Sequence, residues 1–325
     1  MRLGRILRLS VFAALVGAIG YLGVCGVAWN INTTVDRGCL DLWGSQTPAN
    51  FVGAWNKADG PFIDAAPYRF DAQDVSIDSL TAGITLRAWF APPPNGGDRV
   101  VIVVHGMGSC RRDPTSLLPA GMLVRHGFGV LMPDLRNHGE STRQDGHWAG
   151  GIDEWQDVIG AWNWLRAKGY AADHIGLFGE SMGAGSVSIA MGHEPAAAAV
   201  FIDSGFADIV SATTFFAEST GKPGGLVPGV MLMGTLISGN NFFSPGPAAL
   251  FRSNLKGRPV FIVHGTADAT ISVEQAPQLA AAATAGGYPV TPWIVQGARH
   301  IEAAFTHTAE YEQRLTAFFE GALGK

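Results

Sequence analysis

The chain has 325 residues, 47% of them hydrophobic and 15% charged, with a net charge of −5 at pH 7. That apolar content argues against disorder, and the acidic balance against a nucleic-acid-binding face. The length allows one large α/β domain or two small ones, and three cysteines are too few for a disulfide framework.

Residues 1–30, MRLGRILRLSVFAALVGAIGYLGVCGVAWN, place Arg2, Arg5 and Arg8 before an uncharged apolar run from about Leu9 to Trp29. About 20 such residues span a bilayer core. Basic residues before the run, and none immediately after it, predict a cytoplasmic N-terminus with the rest of the chain on the extracytoplasmic side. The expectation is an uncleaved transmembrane anchor. The alternative is a cleaved signal and a secreted or periplasmic protein, because Gly26-Val27-Ala28 has a small-x-small form. In an oxidising compartment Cys39 and Cys110 could pair, or both could remain free thiols.

Residues 31–67 read as an irregular connector, and a catalytic domain is expected over 68–325. "DVSIDSL" and "ITLRAWFAP" alternate around "TAG", which predicts an antiparallel hairpin. From Arg99 the pattern changes to short, nearly continuous apolar runs: "RVVIVVHG", "GVLMPD", "HIGLFGES", "AAVFIDS", "PVFIVHG" and "VTPWIVQGA". Such runs fit strands covered on both faces. Helical patterns lie between them. One has Trp155, Ile159, Trp162 and Leu165 on a single stripe, and another opens with Ser272 and Gln275 at capping-box spacing. The alternation predicts a mostly parallel, doubly wound α/β sheet with its ligand site at the C-terminal strand ends. Residues 206–258 break that alternation, being rich in Phe, Met and Leu without a clear strand, and read as a small apolar lid or substrate pocket.

Gly179-Glu180-Ser181-Met182-Gly183 sits between a predicted strand and a predicted helix. A tight turn there exposes the serine, and flanking glycines avoid a clash. A nucleophilic serine needs a base, and the base needs an orienting acid. His300 follows the last strand and Asp268 the one before it, which gives the order serine, acid, histidine. Asp203 also ends a strand and is the competing acid, while His307 falls at the start of the terminal helix. The "HGMGS" turn predicts the backbone N–H of Met107 as one oxyanion donor, with that of Met182 as the other. A phosphate cradle is the competing use of such a turn. "GESMGAG" matches neither G-x-G-x-x-G nor a Walker loop, and a cradle leaves Asp268 and His300 without a purpose.

"HGMGS", "MPDLRNHGES", "GESMG", "HGTAD" and the late His300 together resemble the α/β-hydrolase superfamily, in one order from about Tyr68 onward. The chain is similar in particular to its single-pass, membrane-anchored serine hydrolases. The resemblance implies that His105 and His264 brace loops, and that Asp134, Arg136 and His138 hold the turn after "GVLMP". Asn137 replaces a glycine of the familiar pattern, which is expected to alter only that turn. The implied activity is hydrolysis of an ester, thioester or amide through an acyl-enzyme on Ser181, His300 and Asp268. The expected class is carboxylesterase- or lipase-like, acting on an apolar small-molecule acyl substrate. No cofactor, metal or nucleic-acid partner is expected, and the membrane is met through the N-terminal helix. The alternatives are a peptidase of the prolyl-oligopeptidase type, whose propeller has no room here, an acyltransferase, and a noncatalytic binding protein on the same fold.

Overall fold

A computed structural model describes residues 2–36, 38–55 and 62–324. Helix α1 (Arg2–Thr33) leads the chain, and its Leu7–Thr33 stretch is long and apolar enough to cross a membrane. The connector carries more local order than its composition predicts. α1 runs on to Thr33, α2 spans Gly38–Trp43, and β1 (Gly53–Ala54) pairs antiparallel with β2 (Phe62–Ile63). Residues 37 and 56–61 of that connector lie outside the described residues. A disulfide between Cys39 and Cys110, with Cα atoms 6.0 Å apart, holds α2, and Trp43 is buried beside it.

The main sheet has eight strands: β3 (Gln73–Asp78), β4 (Thr85–Ala91), β5 (Val100–Val104), β6 (Gly129–Pro133), β7 (Ile175–Glu180), β8 (Ala199–Asp203), β9 (Val260–Gly265) and β10 (Trp293–Val295). Their order is β10-β9-β8-β7-β5-β6-β4-β3. β3 pairs antiparallel with β4, and β4 with β6, while every pair from β6 through β5 to β10 is parallel.

Helices α4 (Trp155–Ala167) and α5 (Met182–His193) help to cover one face of the sheet. The other face lies under α3 (Pro114–Arg125) and the terminal α11 (Thr308–Ala322), which follows the single turn α10 (Ala303–Thr306). Strands β5 to β8 are therefore buried along their whole length, and this double coverage is why each reads as an unbroken apolar run.

The 206–258 stretch is helical: α6 (Ile209–Ser219), α7 (Val227–Ser238) and α8 (Pro247–Asn254). α8 joins the sheet core, with Leu250 and Phe251 buried. α6 and α7 instead share a small separate core with Phe206, Met231, Phe242 and Ile271. α7 also packs closely on α1. A Cβ at Gly229 would collide with Tyr21 and Cys25, and one at Gly234 with Trp29.

The capping box expected at Ser272 and Gln275 does not form. Helix α9 (Gln275–Ala285) has no side-chain cap at its N-terminus. Gln275 Oε1 instead accepts from Ala207 N at 2.8 Å, and its Nε2 donates to Ser211 Oγ at 3.1 Å. Gln275 is thus used to fasten the start of α6, a tertiary demand that outcompetes the local cap.

Candidate active site

Between the end of β7 at Glu180 and the start of α5 at Met182, Ser181 alone makes the turn, at φ 53° and ψ −120°. A non-glycine residue is strained there and persists only where its surroundings hold it. Ser181 N donates to Asp203 O at 2.9 Å, tying the turn to the neighbouring strand. A Cβ at Gly183 would collide with the carbonyls of Val104 and His105, and one at Gly179 with that of Gly183. Each flanking glycine is therefore required where backbone crosses backbone.

Asp268 lies in the loop after β9 and His300 in the loop after β10. Ser181 Oγ is 2.8 Å from His300 Nε2, and His300 Nδ1 is 2.7 Å from Asp268 Oδ2. An Nδ1–H donated to Asp268 leaves Nε2 as the acceptor for the serine hydroxyl. The other carboxylate oxygen, Asp268 Oδ1, accepts from Thr270 N and Ile271 N, both at 2.8 Å. Burial pushes the Asp268 carboxyl up, but hydrogen bonds from His264 and His300 outweigh it and hold the group well below the usual carboxylate range.

The competing acid faces elsewhere. Asp203 Oδ2 accepts from Tyr311 Oη at 2.7 Å, and Oδ1 accepts from Ser204 Oγ at 2.9 Å. Ser204 Oγ in turn accepts from Ile301 N at 3.0 Å, so Asp203 steadies the loop that carries His300. His307 contacts Thr306 Oγ1 at the head of α11.

The "HGMG" turn lies directly against the serine, where a Cβ at Gly106 would stand 3.3 Å from Ser181 Cβ. Among the described residues neither Met182 N, in the first turn of α5, nor Met107 N meets an acceptor. Two buried histidines brace this turn. His105 Nδ1 donates to Gly106 O at 2.8 Å and Nε2 accepts from Leu135 N at 3.0 Å, while His138 Nε2 accepts from Gly108 N at 3.2 Å. Burial pushes His105 down to about 3 and His138 down to about 4, so both rings are neutral acceptors at physiological pH. Asn137 does more than alter a turn. It takes the left-handed φ of 64° that a glycine would, and its Oδ1 accepts from Gln144, Asp145 and Gly146 N at 2.8, 3.2 and 3.0 Å.

A cavity of about 310 Å³ opens above Ser181. Met107, Met182, Trp148, Phe206, Phe216 and Ile271 contribute to its mostly apolar wall, and Lys222 stands at its side. Two of the lining residues come from α1, where the sequence reading looked for no part of the site: Ala28, read within the anchor or signal segment, and Asn32, read as connector. The contact of His264 with Asp268 was likewise not foreseen. No group of three or more His, Cys, Asp or Glu side chains among the described residues could hold a metal ion.

A family model for the prolyl oligopeptidase family matches residues 118–325. No curated protein matches the chain. Among solved structures, an esterase of Pyrococcus furiosus is similar at 21% identity and a TM-score of 0.62, over 86% of this chain and 98% of that one. A puromycin-hydrolysing peptidase of Mycobacterium tuberculosis aligns at 20% identity and 0.63, over 79% of this chain and 40% of its own. An acylaminoacyl peptidase of Pyrococcus horikoshii aligns at 16% and 0.58, over 78% and 42%. At these identities the likeness is one of fold, and the chain spans less than half the length of either peptidase.

Proposed function

The chain belongs to the prolyl oligopeptidase family, and from that premise we propose that it is a membrane-anchored serine hydrolase cleaving carboxylic esters of apolar acyl groups. One observation carries this reading: Ser181 Oγ, 2.8 Å from His300 Nε2, lies at an apolar cavity of about 310 Å³. In the reaction His300 takes the Ser181 proton as Oγ attacks the carbonyl carbon. The N–H groups of Met107 and Met182 meet the oxyanion. Collapse of the tetrahedral intermediate breaks the ester C–O bond, and His300 returns the proton to the leaving alkoxide. Water, deprotonated by His300, then hydrolyses the acyl-enzyme. Asp268 stays ionised throughout and holds the imidazole in its working tautomer. α6 and α7 serve as the cover of the acyl pocket.

Esters are preferred to peptides because, among the described residues, no carboxylate lines the cavity to hold a peptide amino terminus. The extracytoplasmic placement draws support from the Cys39–Cys110 disulfide, a bond suited to an oxidising compartment. Protease added to intact cells should therefore digest the catalytic domain, and digestion only after lysis would contradict that placement. A series of p-nitrophenyl esters run beside aminoacyl p-nitroanilides tests the activity. Medium-chain esters should be cleaved faster than acetate, and Ser181→Ala should cleave neither class. Anilide cleavage without ester cleavage would favour the peptidase, and activity on acetate alone would overturn the apolar acyl pocket.

A further inference from the structure

The cavity shares a wall with the helix read as the anchor. Ala28 and Asn32 of α1 line it together with Ser181, and both fall inside the Leu7–Thr33 span. α7 is docked on that span at Tyr21, Cys25 and Trp29, with Cys25 and Trp29 buried in the contact. A hydrocarbon core needs about 20 residues of helix. Counted from Leu7, that length ends at Gly26, past the α7 contacts at Tyr21 and Cys25, so a bilayer crossed by α1 must also meet α7.

The surface of α7 fits such a setting. No residue of Val227–Ser238 is charged, and Leu232, Leu236 and Ile237 point outward, Leu236 being 67% exposed. On the adjoining α1, Val24, Val27 and Ile31 are exposed as well. A shared apolar surface of this kind is a liability in water and a normal lipid contact. The cavity rim carries the marks of the water boundary. Lys222 Nζ donates to Asn32 Oδ1 at 2.7 Å, and Trp148 Nε1 donates to Asn32 O at 3.0 Å. Lysine and tryptophan both favour the head-group level.

We infer that the cavity opens sideways into one leaflet of the bilayer, between α1 and the α6–α7 pair, and that the substrate is an acyl ester dissolved in the membrane. Acyl lipids hold their ester carbonyl at the boundary between head groups and hydrocarbon. The rim residues Asn32, Lys222 and Trp148 would sit at that depth, with the acyl chain sliding past Ala28 and Val230 toward Ser181. This rests on Ser181 as the nucleophile and on α1 as an anchor.

The test uses the full chain reconstituted in phosphatidylcholine vesicles, with two 4-methylumbelliferyl esters: water-soluble butyrate, and oleate held in the bilayer. Wild type should cleave both. The double substitution Leu232→Asp with Leu236→Asp touches two exposed positions of α7 that do not line the cavity. It should leave butyrate cleavage within about twofold and lower the oleate-to-butyrate ratio by about tenfold or more. Ala28→Trp, which fills the opening from α1, should lower the same ratio. An unchanged ratio in both proteins, or a wild type that cleaves butyrate but not oleate, would overturn the lateral opening alone. A wild type inactive on both esters would overturn the hydrolase reading beneath it.

Discussion

His264 Nε2 stands 3.1 Å from Asp268 Oδ2, the same oxygen that His300 Nδ1 reaches at 2.7 Å. Both histidines follow from the sheet. His264 is on β9, and its side chain is fully buried beside the loop that turns back with Asp268. The other ring nitrogen of His264 has no partner among the described residues, so the ring hydrogen belongs on Nε2, which lies 3.0 Å from Ile271 O and 3.1 Å from Asp268 Oδ2. His264 is thus placed to position the acid together with the loop that carries it.

His264→Ala should lower kcat and leave KM unchanged. A hydrogen bond to a charged group is worth about 1.5–3 kcal/mol, which corresponds to a fall of roughly ten- to a hundredfold. His264→Gln, which keeps an N–H donor, should recover part of that loss. Steady-state kinetics on one p-nitrophenyl ester check this, and a rise in KM with kcat intact would assign His264 to substrate binding instead.

The two candidate acids should separate by mutation. Asp268→Asn removes the anion that orients His300 and should cost on the order of a thousandfold or more in kcat. Asp203→Asn weakens the Tyr311 hydrogen bond and the Ser204–Ile301 support and should cost far less. An equal or larger loss at Asp203 would transfer the role.

Glu180, next to the serine, is buried and accepts from Thr115 Oγ1 and Ser116 Oγ at 2.8 and 3.0 Å. Burial, with Asp113 and Asp203 nearby, pushes its carboxyl up to about 8. The folded chain therefore keeps a proton that the unfolded chain releases near 4.5. Stability contributed by this group falls as pH rises from the unfolded value through the folded one. Unfolding measured at pH 5 and pH 8 should show wild type losing on the order of a few kcal/mol more than Glu180→Gln. The comparison between proteins isolates Glu180 from His105 and His138, which must charge at low pH and act in the opposite sense. Parallel losses would contradict the assignment.

The disulfide closes a loop between positions 71 residues apart. By chain entropy, opening it costs about 4 kcal/mol. Cys110 also lies three residues beyond Met107, so the bond steadies the turn that carries one of the proposed oxyanion donors. Cys39→Ser with Cys110→Ser should lower both Tm and kcat, checked by thermal unfolding and ester kinetics. An unchanged Tm would leave the bridge without a role in stability.

The parts of the site legible in the sequence are those that follow from local order along one strand and its turn. Ser181 is marked by glycines that the crossing backbone requires, and Asp268 and His300 by their places after consecutive strand ends. Hidden features depend on what docks from elsewhere. Gln275 leaves its capping box for Ala207 and Ser211, and Asn137 gathers three N–H groups from a loop seven to nine residues on. The wall that α1 gives the cavity arises because Gly229 and Gly234 admit it closely. Glycines in an apolar helix carry no mark of which partner they admit.

The most direct measurement is labelling of the full chain with a fluorophosphonate, followed by peptide mass analysis. Covalent modification should fall on Ser181, and Ser181→Ala and His300→Ala should remain unlabelled. A wild type that resists labelling, or a Ser181→Ala protein that labels equally, would contradict Ser181 as the nucleophile.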